Sequence, residues 1–204
     1  MSKDEINYSR SYVAVDREKI VHSLQSELSP HRFQHCLRVE ETARRLAEKY
    51  GQDKEKAGLA GLLHDYTKEA SKETLLSYQK HPDYDPDWLN YGSAIWHGPL
   101  AAMRAVDQFG LKDEEIYQAI FNHTVGSLKW TPTAKIVYLA DYIEPGRDFP
   151  GVEEARQATE RSLDEGVTYK LTHSLTYLVN NHLRIYPRTL EVYNQWFGDQ
   201  EKKI

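Results

Sequence analysis

Residues 54–68 read KEKAGLAGLLHDYTK. Ala57, Ala60, Gly61 and His64 fall at i, i+3, i+4 and i+7, and this spacing predicts a helix over 54–66. The face they form is built of small residues and ends in an imidazole with a carboxylate beside it, His64 and Asp65. A polar or charged group that closes an apolar face needs a partner, because burying it unpaired is costly. Outward from this stretch the helical period continues in both directions. It predicts further helices over 16–28, 31–50, 71–79, 98–109, 113–123, 132–143, 152–161, 164–184 and 188–196. Period-2 alternation is not sustained anywhere, and YVAV at 12–15 is the one candidate strand. The fold class is therefore all-α, a single helical domain of about 8–10 elements over 16–204 behind an N-terminal extension over 1–15.

Punctuation supports these boundaries. Ser29-Pro30 precedes the second helix, and Thr131-Pro132 pairs an N-cap with proline at the first helical position. Gly51 and Gly110 stand where helices stop. Two stretches resist regular structure, 80–99 (KHPDYDPDWLNYGSAIWHGP) and 144–151 (EPGRDFPG). Loops as long as the first are often functional. Its Trp88, Tyr91 and Trp96 suit stacking on a base and simple packing equally.

A chain of 204 residues is about one domain. The 26 basic against 31 acidic residues leave a formal charge of −5, which argues against holding nucleic acid by bulk charge. The single cysteine, Cys36, excludes an internal disulfide and a cysteine zinc knuckle. No apolar run approaches the ~20 residues that a bilayer needs, so a membrane partner is not expected and the expected location is the cytoplasm. Phosphate-loop, dinucleotide, HExxH and GxSxG patterns are absent. A Cys36–His35 nucleophile is disfavoured because adjacent helical residues do not face each other.

Nine histidines remain to be sorted. The apolar stripe of 31–50 runs through Cys36, Val39, Ala43, Leu46 and Tyr50. His35 lies about 60° from its centre and His31 about 100°, so His35 borders the core and His31 faces outward. His123 ends the stripe of Ile116, Ala119 and Ile120, and Asp141 ends that of Ala134, Val137 and Tyr138. Asp141 thus calls for a cationic partner, either a metal ion or an Arg or Lys. His97 stands at the mouth of the long loop, just before the stripe of Leu100, Met103 and Val106. His182, on a stripe with Val167, Leu171, Leu178 and Ile185, reads as a core histidine. Each of these groups alone has a structural explanation. Several imidazoles and two carboxylates delivered to the interior of one helical domain match metal coordination by nitrogen and oxygen.

The order His35, His64-Asp65, His97, His123 and Asp141 resembles the HD-domain metal-dependent phosphohydrolases. RFQH (32–35), GLLHDYTK (61–68), WHGPLAA (96–102), NHTVG (122–126) and ADYIEPGRDFPGV (140–152) are similar to the YqeK-type bacterial members, over about residues 17–190. The resemblance implies a helical HD-domain fold and symmetrical hydrolysis of diadenosine tetraphosphate to two ADP by a hydroxide activated between two metals. It implies one ion on His35, His64, Asp65 and Asp141, and a second on His97 and His123 with Asp65 bridging. The family implies iron; the donor set alone admits Mn, Fe, Co or Zn. Beside the metals, Asp65, Lys68 and Arg147 take catalytic roles, and Lys68, Arg147, Arg32 and Thr124 contact substrate. ADP or GDP would bind as product-like ligands, and a homodimer is left open. Two alternatives stand beside this reading. One is an HD-domain nucleotidase acting on mononucleotides, and the other a metal- and nucleotide-binding regulatory module without turnover.

Overall fold

A computed structural model describes residues 6–201; residues 1–5 of the N-terminal extension and 202–204 lie outside the described residues. The elements are α1 (Arg17–Glu27), α2 (Pro30–Lys49), α3 (Lys54–Leu63), α4 (Lys72–Ser77), α5 (Ser93–Phe109), α6 (Glu114–Asn122), α7 (Pro132–Ile143), α8 (Val152–Arg161), α9 (Leu163–Asn180) and α10 (Pro187–Glu201). A short 3-10 turn spans Pro86–Asn90, and the described residues contain no β-strand. No described helix is long and apolar enough to cross a membrane.

Local chemistry sets the starts. The Asp53 carboxylate accepts from the backbone N–H of Glu55 and Lys56 at 2.8 and 3.0 Å and so caps α3. Thr131 Oγ1 accepts from Ala134 N at 3.1 Å ahead of Pro132, the first residue of α7.

Two apolar clusters make the interior. One joins α1, α3, α5 and α6 through Leu24, Leu62, Phe109 and Ile120; the other joins α2, α7 and α9 through Leu46, Leu139 and Leu171. Helices α2, α3 and α7 contribute to both clusters. Those three helices, or the residues just beyond their ends, also carry His35, His64-Asp65 and Asp141. Polar groups delivered to the seam between two packed clusters are held by rigid elements on every side. Residues 6–15 pack on the first cluster, with Tyr8 and Val13 buried. The Tyr8 hydroxyl donates to Glu40, which also accepts from Arg17 Nε at 2.7 Å.

Four local readings change. YVAV at 12–15 is irregular, held by Ala14 N to Phe109 O at 2.9 Å and Lys112 N to Tyr12 O at 2.8 Å. Helix α5 begins at Ser93 rather than 98 and carries Pro99 in its second turn. Pro99 has no N–H to give Ile95 O, and the helix nevertheless runs through it. His97 therefore sits on a helix, not in a loop. Helix α3 stops at Leu63, and His64 through Lys68 close as successive turns, with Tyr66 N on Leu63 O at 3.0 Å and Lys68 N on Asp65 O at 2.9 Å. Helix α9 ends at Asn180, and His182 is exposed at φ 53° rather than in the core. The stripe on which it was placed is fully covered only over its first half: Val167 and Leu171 are buried, Leu178 is half-buried, and the helix ends before His182.

Candidate metal centre

Six residues separated by more than a hundred positions in sequence meet at one place. His35, on α2, is 2% exposed, and His64, Asp65, His97 and His123 are no more so. His31, one turn earlier on the same helix, is exposed.

All four imidazoles are oriented by the same device. His64 Nδ1 lies 2.6 Å from Gly61 O, His97 Nδ1 2.7 Å from Ser93 O and His123 Nδ1 2.8 Å from Ile120 O. His35 Nδ1 lies 3.0 Å from Glu144 Oε1. A carbonyl or carboxylate oxygen can only accept, so each Nδ1 carries the hydrogen and each Nε2 of a neutral ring presents a lone pair. Those lone pairs converge. His35 and His64 Nε2 are 3.2 Å apart, and His97 and His123 Nε2 are 3.0 Å apart.

Asp65 stands between the two pairs. Its Oδ2 is 3.6 Å from His35 Nε2 and 3.5 Å from His64 Nε2, while its Oδ1 is 3.1 Å from His97 Nε2 and 3.7 Å from His123 Nε2. Asp141 Oδ1 completes the first pair, 3.2 Å from His35 Nε2 and 3.7 Å from His64 Nε2. Donor atoms of His35, His64 and Asp141 lie within 4.8 Å of one another, and so do those of His64, Asp65 and His123. His64 thus belongs by distance to both groups. Lone pairs and carboxylate oxygens facing one another with no hydrogen between them repel unless a cation stands among them. The donor set is nitrogen and oxygen only, which suits borderline divalent metals.

The electrostatics agree with that need. Burial raises the pKa of the Asp65 carboxyl, but His64, His97 and Lys68 more than reverse this and hold it well below the usual range. Asp141 behaves likewise: burial opposes ionisation, and Lys170, His35, His64 and Arg147 overcome it. Burial lowers the pKa of His97 despite Asp65, and lowers that of His123 further with help from the neighbouring His97 and His64. These two rings are therefore neutral at pH 7, the form that binds metal.

The residues expected to contact substrate surround the cluster. Lys68 Nζ is 3.2 Å from His97 Nε2. Arg147 Nη2 is 2.5 Å from Asp141 Oδ1, and Arg32 Nη1 is 2.6 Å from Asp65 Oδ2. Thr124 Oγ1 is 3.3 Å from His97 Nε2 and 3.2 Å from His123 Nε2. Three cationic side chains thus ring the cluster. Trp88 and Trp96 are buried in a satellite apolar cluster, so they pack rather than present a face to a ligand. Tyr91 packs edge-on against Tyr186.

Gly98 has a local reason. A Cβ there would stand 3.0 Å from both His123 Nδ1 and Phe121 O, so a side chain would push against the His123 ring.

Sequence reasoning missed two partners of the cluster. Glu144, 1% exposed, holds His35 Nδ1 and is itself gripped by Arg38 Nε at 2.5 Å and Gly146 N at 2.6 Å. Burial would raise its pKa, yet Arg38 and His35 bring it down to about 2. Glu144 follows Asp141 by three residues, one helical turn, and that spacing was the available signal. Lys170 is buried on α9, donates to Tyr138 O at 2.6 Å and stands 3.6 Å from Asp141 Oδ2. Burial lowers its pKa to about 8, with Asp141 opposing the shift. A lysine between Val167 and Leu171 on a buried stripe was its signal.

Comparison with known proteins places this geometry. The HD domain model matches residues 32–146. The symmetrical bis(5'-nucleosyl)-tetraphosphatase of Halalkalibacterium halodurans is 37% identical over 187 residues, covering 92% of this chain and 100% of that protein. The protein of the same name from Bacillus subtilis is 33% identical, covering 88% of this chain and 97% of its own length. A crystal structure titled as a predicted HD superfamily hydrolase involved in NAD metabolism, from Clostridium acetobutylicum, superposes with a TM-score of 0.84. It is 33% identical and covers 89% of this chain and 97% of that one. A helical fold, an ordered His/His-Asp/His/His/Asp cluster and full-length relatives at this identity agree: the chain belongs to the HD-domain hydrolases, in the family of the symmetrical bis(5'-nucleosyl)-tetraphosphatases.

Proposed function

We propose that this chain hydrolyses diadenosine tetraphosphate at its middle to give two ADP, using two metal ions. His35, His64, Asp65 and Asp141 hold one ion; His97 and His123 hold the other, with Asp65 shared. The observation that carries the reading is the convergence of four Nε2 lone pairs on the two oxygens of Asp65. Iron is placed first by the family resemblance, and Mn, Co and Zn suit the same donors. Metals bound in such a pair neutralise phosphate oxygens and lower the pKa of a bound water.

The remaining roles belong to side chains. Lys68 lies at the His97 end of the cluster and Arg147 at the Asp141 end, so an inner phosphate over Asp65 has a cation for each neighbour. Arg147 grips through two donors and Lys68 as a point charge. Arg32 and Thr124 add hydrogen bonds at the rim. The oxygen of water bonds to a phosphorus flanking the central bridging oxygen, that P–O bond breaks, and ADP departs with the electron pair. The proton of the water passes to solvent. ADP spreads the leaving charge over its phosphate oxygens, so no separate general acid is required.

Hydrolysis in oxygen-18 water tests the bond cleaved. One of the two ADP molecules formed per turnover carries the label on its terminal phosphate. AMP plus ATP as products would contradict the symmetrical reading, and hydrolysis of AMP without any of the dinucleotide would replace it with a nucleotidase. Lys68→Ala or Arg147→Ala lowers kcat/KM by roughly 10- to 1000-fold if each contributes about 1.4–4 kcal/mol in the transition state.

A further inference from the structure

Helix α7 ends at Ile143, just after Asp141, and the way it ends decides where Arg147 stands. In a helix each carbonyl accepts from the N–H four residues on. Asp141 O would need the N–H of Pro145, which has none. Gly146 N goes instead to Glu144 Oε2 at 2.6 Å, and Arg147 N to Glu144 O at 2.9 Å, so neither returns to the helix. A glycine cap does not replace them. Glu144 leaves the helix at φ −51° and ψ 153°, and Gly146 is not among the glycines of positive φ. Carbonyls left in this way have to find other donors.

Two arginines supply them. Arg147 Nε donates back to Asp141 O at 2.8 Å, while its Nη2 reaches Asp141 Oδ1. Arg156, half-buried in the second turn of α8, takes the others. Its Nε donates to Ile143 O at 3.1 Å, and its Nη2 to Glu144 O at 3.2 Å and to Arg147 O at 3.0 Å. One guanidinium thus spans the turn from the end of α7 to the backbone of Arg147. Its own helix is anchored separately, through the buried Val152 and Ala155.

The two site residues on this turn depend on Arg156 unequally. Glu144 is held through its carboxylate, by Arg38, Gly146 N and His35. The Arg147 guanidinium meets only residues of the centre, Asp141 and, at 3.4 Å, His35 Nε2. Outside the centre Arg147 is fixed by its backbone, with its N–H on Glu144 O and its carbonyl on Arg156. A long side chain keeps its head group in one place only where its support is rigid.

We propose that Arg156 is a positioning residue for Arg147: it fixes the backbone of 143–147 from outside the centre, so that the Arg147 guanidinium stands at Asp141, placed for a phosphate. The proposal rests on the functional reading above, in which Arg147 grips phosphate, and adds the residue through which that grip is placed.

A double-mutant cycle with Arg147→Ala tests it, read by calorimetry of ADP on the Mn²⁺-loaded protein and by hydrolysis of diadenosine tetraphosphate. Arg156→Met keeps the side-chain bulk and loses the donors, and Arg156→Lys keeps the charge but not the fork that spans three carbonyls. Alone, Arg156→Met should weaken ADP and lower kcat/KM about tenfold, and Arg156→Lys about fourfold. In the Arg147→Ala background each should cost less than about twofold, because no Arg147 guanidinium is left to place. Mn²⁺ affinity, which Glu144 serves through its own clamp, should stay within about threefold of wild type. Losses that multiply in the double variant, or Mn²⁺ affinity that falls as far as ADP affinity, would make Arg156 a general support of the fold and overturn the proposal. Wild-type ADP binding in both single variants would overturn it too. If Arg156→Met does not fold, Arg156→Lys completes the same cycle. An Arg147→Ala variant that binds ADP and turns over like wild type would instead remove the functional reading of Arg147, and this inference with it.

Discussion

The two halves of the centre are built from the same ring and differ in one partner: His64, like His97 and His123, leans on a backbone carbonyl, and only His35 has a carboxylate. In the half nearest α7, His35 is oriented by the Glu144 carboxylate, which Arg38 and a backbone N–H grip in turn. Asp141 beside it has Arg147 and Lys170 as cationic neighbours. In the other half, His97 and His123 lean on backbone carbonyls of their own helices, and burial pushes their pKa values down. A carboxylate on Nδ1 raises the basicity of Nε2, and a carbonyl does so less. The first half is thus the stronger donor set, and the second is pre-organised but weaker. On the proposed reading, such a cluster would hold one ion more tightly than the other.

The largest break in this contrast comes from emptying the weaker half. His97→Ala with His123→Ala should retain one ion per chain and lose nearly all turnover, read by elemental analysis beside ADP release. Retention of two ions would mean that the pairing of donors is wrong. Glu144→Gln sharpens the contrast from the other side. It removes the carboxylate but keeps a side-chain acceptor for His35 Nδ1. Affinity for the first ion should fall roughly 10- to 100-fold, with the second much less affected. Equal loss at both sites would deny Glu144 a role specific to His35.

The cluster was legible in the sequence for a physical reason. His35, His64, His123 and Asp141 close or border apolar stripes, and a polar group in that position has to be satisfied. Glu144 and Lys170 were less visible because each serves a ligand residue rather than closing a stripe itself. His97 was placed correctly beside the Leu100 stripe but not on a helix, since the expected helix began one residue later, at Gly98. There the proline sits in the second turn, where the helix tolerates one missing hydrogen bond, and the glycine admits the His123 ring. His182 failed for the opposite reason. Periodicity reports a stripe, but not where the helix that carries it stops, and α9 ends at Asn180, two residues before His182.

Acidity probes the weaker half by itself. His97 and His123 have lowered pKa values in the folded chain, while an unfolded histidine titrates near about 6.5. The unfolded state therefore binds more protons just below that value, and stability falls as pH falls through it. Metal-free protein should show a declining denaturation midpoint from pH 7 to pH 5.5, and replacing both rings should flatten the decline. An unchanged slope in the double variant would place the sensitivity elsewhere. The smallest effect belongs to His31. It is exposed one turn from His35, so His31→Ala should keep both ions and change stability by no more than about 0.5 kcal/mol, against loss of the first ion in His35→Ala.

The central claim is that Asp65 joins two unequal halves into one binuclear centre. A calorimetric titration of the metal-free chain with Mn²⁺ or Fe²⁺ tests it most directly. Two ions per chain, bound in separable steps with the tighter step weakened selectively by Glu144→Gln, is the predicted result. Saturation at a single ion, with full hydrolysis of diadenosine tetraphosphate, would contradict it.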